Sequence, residues 1–331
     1  MTSDSRETRT TRVFIETGQD AAAAFDRLLE RCGLLARVTA AADLAGGGRA
    51  DFPIALKPNL MVAPGDAAGA ADRTEPALVE RLVVALAAEG FHDVAVVESA
   101  VKGLPPVAEL ARRAGYSGAG YRLVDLSDEA VPFDYGGVLG AHVAGRTWRD
   151  AGFRISFGKA KTQWQCLFGG ALANLYGCLP DPDKLARYHG PGHEFQECCV
   201  LIADRMPVNF GIVDAWVGGD GPGTHAHPRR ARDTGTLLAS EDLLALDWVV
   251  GEKMGLDPNL GFVVQEALLR WGRVQVVRRG NTTAWRPWDN VKPAKVAAAC
   301  LLEPVLRQPA ARGVMRALGP RGRRLGAWTI Q

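Results

Sequence analysis

The stretch Thr74–Ser99, TEPALVERLVVALAAEGFHDVAVVES, sets two periodicities back to back and decides the fold. Its first part places Leu78, Leu82 and Leu86 on one helical face, with Thr74 as the expected N-cap, Glu75 and Pro76 in the first turn and Gly90 as the stop. Its second part, from Asp93 to Ser99, is a short valine-rich run without polar interruption, the pattern of a strand covered on both faces. A helix feeding such a strand is the repeating unit of a parallel sheet flanked by helices.

The same grammar extends in both directions. Arg12–Thr17, Phe52–Pro58, Phe153–Lys159, Asn209–Val217 and Thr234–Ser240 read as further strands, and PPVAELARRAG and SEDLLALDWVVGEKMG read as helices, the second capped by Ser240 and closed by Gly255. The fold class is therefore α/β, a layered, mostly parallel sheet with flanking helices, arranged as two Rossmann-like lobes. Short glycine-rich pieces between Val131 and Asp150 suggest a crossing, so the expected division is 1–135, 136–291 and a basic segment 292–331. That last segment carries Lys292, Lys295, Arg307, Arg312, Arg316, Arg321, Arg323 and Arg324 against Glu303 alone.

Composition narrows the function classes. A chain of 331 residues with 47% hydrophobic and 23% charged residues is ordinary for a globular protein, and a net charge of +2 gives no general attraction to nucleic acid. The six cysteines have no cluster-ligand spacing, and reduced thiols in the cytoplasm are expected. No apolar run approaches membrane-spanning length. There is no GxxxxGK[ST] loop, no strand-to-helix GxGxxG and no GxSxG elbow, so no NAD, ATP or iron–sulfur cluster and no nucleophilic hydrolase are expected.

In open α/β sheets, ligands bind beyond the carboxyl ends of the strands. Four apolar strands here end in charge: Lys57, Glu98, Lys159 and Asp214. Burying such groups costs several kcal/mol each unless they are paired or liganded, so either they pair with one another or a ligand completes them. Lys159, Lys161 and Thr162 precede Gly169 and Gly170, which open a helix expected to run to Tyr176; free amides there would suit a carboxylate or phosphate. The alternative for the glycine pair is close packing of helix on sheet. Beyond Asp214, the loop GGDGPG presents Asp220, and His225 and His227 at i and i+2 would face one side of an extended segment. With Asp214 or Asp220 they would form a divalent-metal site; the alternative is surface histidines beside phosphate-binding Arg229 and Arg230. His189 suits proton transfer near neutral pH, and Lys184 would assist an anion.

In this order the pieces resemble a bacterial and archaeal family, domain of unknown function 362. Lys57-Pro58-Asn59, Glu98-Ser99, Lys161-Thr162-Gln163, Ala173-Asn174 with Gly177, Lys184 with His189, Asp214 with Gly219 to Gly223, and Ser240, Asp242 and Asp247 follow its pattern from about Phe52 to Gly280. Gln163 stands where the family usually has histidine and Ala173 where it usually has lysine. The resemblance implies binding roles for Asn59 and Asn174. Relatives with cysteine-rich iron–sulfur modules have no counterpart here.

The leading expectation is an isomerase, cyclase or lyase for a small anionic substrate, gripped by Lys57, Lys159, Lys161 and the Gly169 helix start. Glu98, Asp214 or His189 would move a proton, with a divalent metal assisting; no nucleic-acid or membrane partner is expected, and a homodimer is compatible. On this reading Lys57→Ala abolishes turnover and leaves the fold intact. The alternatives are a redox accessory protein holding a cluster or flavin, distinguished by visible absorbance, and an RNA- or lipid-binding module acting through the basic tail.

Overall fold

The structure, a computed structural model, describes residues 9–60, 69–163, 166–189, 194–221 and 229–289. In chain order its strands are β1 (Arg9–Thr17), β2 (Ile54–Pro58), β3 (Val94–Glu98), β4 (Arg122–Asp125), β5 (Ala130–Asp134), β6 (Ala141–Gly145), β7 (Phe153–Gln163), β8 (Leu167–Gly169), β9 (Phe210–Asp220), β10 (Arg230–Asp233), β11 (Thr236–Ser240) and β12 (Val274–Gly280). The helices are α1 (Ala21–Cys32), α2 (Leu34–Ala45), α3 (Gly69–Asp72), α4 (Pro76–Ala88), α5 (Val107–Ala114), α6 (Arg146–Asp150), α7 (Ala171–Asn174), α8 (Lys184–Tyr188), α9 (Glu194–Arg205), α10 (Leu243–Lys253) and α11 (Phe262–Trp271).

One sheet runs in the order β12-β1-β11-β9-β7-β2-β3-β4, with β10 beside β9 and β8 beside β7. The pairs from β9 through β7, β2 and β3 to β4 are parallel, and β11 is antiparallel to both its neighbours. Alternation along the strands sends Ile54, Leu56, Val94, Val96, Ile155 and Phe157 into a core under α1, α2, α4 and α5. It sends Ala55, Ala95, Val97, Val213 and Ala215 into the opposite core, under α7, α9, α10 and α11. Both faces are dry, which is why these strands carry no polar alternation.

The strands on either side of the expected boundary at 135/136 lie side by side: Ile54 of β2 pairs with Phe153 of β7. The glycine-rich stretch is an excursion, the hairpin β5–β6, that lets the chain return from the edge strand β4 to the middle of the same sheet. Two expected caps are also corrected. Glu75, not Thr74, is the N-cap of α4, because the Thr74 hydroxyl instead bridges sheet and loop, donating to the Phe157 carbonyl at 2.7 Å and accepting from the Asn59 amide at 2.9 Å. Asp242, not Ser240, caps α10, accepting from the Ala245 amide, while Ser240 donates to the Arg12 carbonyl.

This topology fixes where a ligand can reach the sheet. From β2 the chain progresses outward through β3 to β4, then returns to β7 on the other side of β2 and proceeds through β9 the opposite way. The order reverses between β2 and β7, and at such a switch point the loops beyond the carboxyl ends splay apart and leave a crevice.

Candidate functional site

The crevice is a pocket enclosing about 740 Å³ of space unfilled by atoms, its open mouth included. Into it project Lys57 from the end of β2, Glu98 from the end of β3, Lys159 and Lys161 from β7, and Lys184 from the first turn of α8. All four lysines are buried, with Lys57 at 1% and Lys161 at 8% exposure. Register explains the convergence: Lys57 lies beside Ser156 across β2/β7, and Lys159 lies opposite Asp214 across β7/β9.

Two of the four ammonium groups have a carboxylate. Lys57 Nζ donates to Glu98 Oε2 at 2.8 Å and to Asn174 Oδ1 at 3.3 Å, and Glu98 Oε1 accepts from the Ser99 amide at 3.0 Å. Asn174 in turn donates to the Lys57 carbonyl at 2.7 Å and to Ser156 Oγ at 3.1 Å, so it locks the lysine from both ends. Lys159 Nζ donates to Asp214 Oδ2 at 2.8 Å, and Asp214 also accepts from the Glu75 and Trp216 amides at 3.0 and 2.9 Å.

The other two have none. Lys161 Nζ donates to Asn59 Oδ1 and to the Asp72 carbonyl, each at 3.2 Å; burial, with the Arg229 charge next, pulls its pKa down to about 7. Lys184 Nζ donates to Ser99 Oγ and to the Leu179 carbonyl, and burial pulls its pKa down to about 8. Among the described residues no carboxylate lies within ion-pair distance of either. Ser99, whose hydroxyl also faces the Gly177 and Leu179 carbonyls at 2.7 and 2.8 Å, is thus the hub that seats Lys184. Its only sequence signal is its place after Glu98.

Other expected roles are altered. The short helix α7 does not offer free amides: the Asp247 carboxylate of α10 takes the Ala171 and Leu172 amides at 2.7 and 3.0 Å. Gly170 is required for that approach, since a Cβ there would overlap the carboxylate. Gly169 and Gly170 line the pocket as backbone. Thr162 lies outside it, donating to the Gly221 carbonyl at 3.0 Å and accepting from the Gly221 amide at 2.7 Å, where it ties β7 to the end of β9. His189 is in the pocket, its ring stacked on Tyr176 at 4.9 Å and edge-on to Phe195 at 4.8 Å. Burial and the nearby Lys184 push its pKa down to about 3, so it is neutral at pH 7 and ill-suited to the proton-exchange role expected of it.

The expected metal set does not assemble among the described residues. Asp220 ends β9 rather than sitting in a loop, and its carboxylate is held by Arg232 at 2.6 and 3.0 Å and by the Asp289 amide at 2.8 Å. Asp214 is held by Lys159, and His225 and His227 lie outside the described residues. Among those described, no group of three His, Cys, Asp or Glu side chains is arranged to hold a metal. Arg229, expected beside phosphate, is instead buried against Asp72 at 2.6 Å, and exposed Arg230 faces Asp289 at 3.6 Å. The basic segment 292–331 also lies outside the described residues.

Gly177 gives a direct test of the packing around the lysines. A Cβ there would lie 2.5 Å from Lys57 Cε and 2.7 Å from its Nζ. Gly177→Ala is expected to displace the Lys57–Glu98 pair and lower the unfolding free energy by about 1–3 kcal/mol, measured by urea denaturation; an unchanged midpoint would contradict the geometry.

The protein is thus of the mostly parallel α/β class, with a switch-point pocket that gathers four buried lysines, two of them without a carboxylate partner among the described residues. The order of residues that builds it is that of a known family: the chain belongs to the family described as Domain of unknown function (DUF362), which residues 54–252 match. It is similar to the thylakoid-associated protein sll1697 of Synechocystis sp., 32% identical over 113 residues, a match that spans 33% of this chain and about a third (34%) of that protein. Among solved structures it is similar to the lactate racemase apoprotein from Thermoanaerobacterium thermosaccharolyticum, with a TM-score of 0.41 and 10% identity over 72% of this chain and 55% of that one. Among the described residues no helix is long and apolar enough to cross a membrane.

Proposed function

We propose that this protein is an enzyme acting on a small anionic substrate by charge stabilisation and proton transfer, as an isomerase, cyclase or lyase does. The observation that supports this reading is the pair Lys161 and Lys184: two buried ammonium groups facing one pocket without a carboxylate. Leaving a buried charge uncompensated is costly, and a bound carboxylate or phosphate would supply what the fold omits. Glu98 and Asp214 already neutralise Lys57 and Lys159, so these two pairs set the geometry while Lys161 and Lys184 meet the substrate. With a pKa near 7, Lys161 is present in both protonation states at neutral pH, the condition under which an amine accepts and returns a proton efficiently. Lys184, charged at pH 7, holds negative charge as it develops beside the anionic group. With Asp214 and Asp220 bonded to Lys159 and Arg232, the described residues present the substrate with ammonium groups rather than with metal ligands.

The sign of the proton linkage provides the test. The protonated amine binds the anion, so binding raises both lysine pKa values and takes up protons between about pH 7 and 9. Calorimetric titration of small carboxylates in buffers of different ionisation enthalpy is expected to show that uptake, with affinity falling about tenfold per pH unit once a lysine has deprotonated. Binding that is independent of pH across this range, or no binding of any carboxylate or phosphate, would overturn the reading.

A further inference from the structure

We infer that the anion this pocket takes is a carboxylate attached to an apolar, aromatic-sized body, rather than inorganic phosphate or a sugar phosphate. The inference rests on the proposed function and specifies its substrate class.

The pocket lining is of two kinds: besides the lysines from β2, β7 and α8 it includes the apolar side chains of Leu60, Val101, Leu104, Leu110, Leu185 and Phe195. Those residues come from the segments after β2 and β3, from α5, from α8 and from the start of α9, so the apolar lining is assembled from several parts of the chain. Lys184 and Leu185 are neighbours on α8, and the Lys184 ammonium sits 5.9 Å from the Tyr176 ring centroid. The Lys184 ammonium therefore lies against an aromatic cluster in which Tyr176, His189 and Phe195 pack ring against ring. A ligand filling the pocket must meet ammonium groups and apolar side chains together; a polyhydroxylated sugar would leave hydroxyls against leucines.

The donors also favour a carboxylate. Phosphate sites in α/β folds commonly use free amides at a helix start or forked arginines. Here the amides that open α7 are taken by Asp247, and among the described residues no arginine lines the pocket. What the pocket offers is two ammonium groups and the side chain of Asn59, which suits a group with two acceptor oxygens.

Calorimetric titration of the full-length protein at pH 7 with acetate, phenylacetate and inorganic phosphate separates the alternatives. Phenylacetate is expected to bind about 10- to 100-fold more tightly than acetate, as burying an aromatic ring implies. Each methylene added along an aliphatic acid series is expected to tighten binding about fourfold. Leu104 and Leu185 are only partly buried, so Leu104→Asn and Leu185→Asn fold, as far-UV circular dichroism checks, and each is expected to reduce the phenylacetate-to-acetate ratio. Equal affinities for acetate and phenylacetate, a ratio unmoved by both variants, or phosphate binding more tightly than phenylacetate would overturn this inference while leaving an anion pocket. No binding by any of the three would overturn the proposed function with it.

Discussion

Lys161→Met is expected to weaken carboxylate binding about 30- to 1000-fold and to abolish turnover, without the loss of stability that removing a buried polar side chain usually brings. The binding loss follows from deleting one desolvated partner of a charge pair, which costs about 2–4 kcal/mol. The stability effect is a contest. Methionine leaves Asn59 Oδ1 and the Asp72 carbonyl without this donor, about 1–3 kcal/mol each. It also removes an ammonium whose pKa falls from 10.5 to about 7 on folding, a burden of about 4–5 kcal/mol at neutral pH. The pH dependence isolates the second effect. Between pH 7 and 10 the unfolded chain holds the Lys161 proton and the folded chain does not, so the wild type gains stability as pH rises. The wild-type-minus-variant difference in unfolding free energy is therefore expected to grow by about 3–4 kcal/mol from pH 7 to 10, measured by urea denaturation. A difference that is flat with pH would mean that Lys161 is not held in a desolvated, unpaired state.

Lys57→Ala is expected to behave in the opposite way and to lower the unfolding free energy by about 3–5 kcal/mol. The environment of Glu98 predicts a loss of stability beside the loss of turnover expected from the sequence. That carboxylate is 4% exposed, its ion-pair partner is Lys57, and truncating the lysine leaves it charged and buried. Asn174 would lose its hydrogen bond to the ammonium as well. The double variant Lys57→Met/Glu98→Leu is expected to recover most of the loss, because apolar replacement of a whole buried pair is close to neutral. Additive losses in that cycle would show that the two side chains do not act as a pair.

Lys57→Ala and Lys161→Met thus separate two kinds of lysine that look alike in the sequence. Each follows or extends an apolar strand, and each fits the rule that strand ends in an open sheet carry the ligand. Their difference lies in which neighbour arrives from elsewhere in the chain. Glu98 reaches Lys57 because β3 pairs with β2, and Asp214 reaches Lys159 because β9 pairs with β7; among the described residues no such strand delivers a carboxylate to Lys161.

Distant neighbours also decide the roles of other residues. Thr74 satisfies every local requirement of an N-cap, yet the Phe157 carbonyl and the Asn59 amide, both distant along the chain, take its hydroxyl. The Gly169–Gly170 helix start looks like an anion site because its amides are unpaired within the segment; Asp247, 76 residues beyond Ala171, occupies them. His189 has the intrinsic pKa of an acid–base residue, and desolvation beside Tyr176 and Phe195, with the Lys184 charge, lowers it to about 3. The apolar lining has no sequence signal for a related reason: Leu104, Leu110 and Leu185 are unremarkable core-like residues until the topology brings them into one pocket with the lysines.

Alone, the sequence determined the α/β class, the inner strands β1, β2, β3, β7, β9 and β11, the helices α4, α5 and α10, and the charged strand ends, because hydrophobic period and strand-end chemistry are local properties of the chain. Only the tertiary structure decided that all the strands but β5 and β6 form one sheet, and which buried charges have a carboxylate partner. Pairing and desolvation depend on residues brought together across many turns of chain, and no local pattern encodes the identity of a distant neighbour.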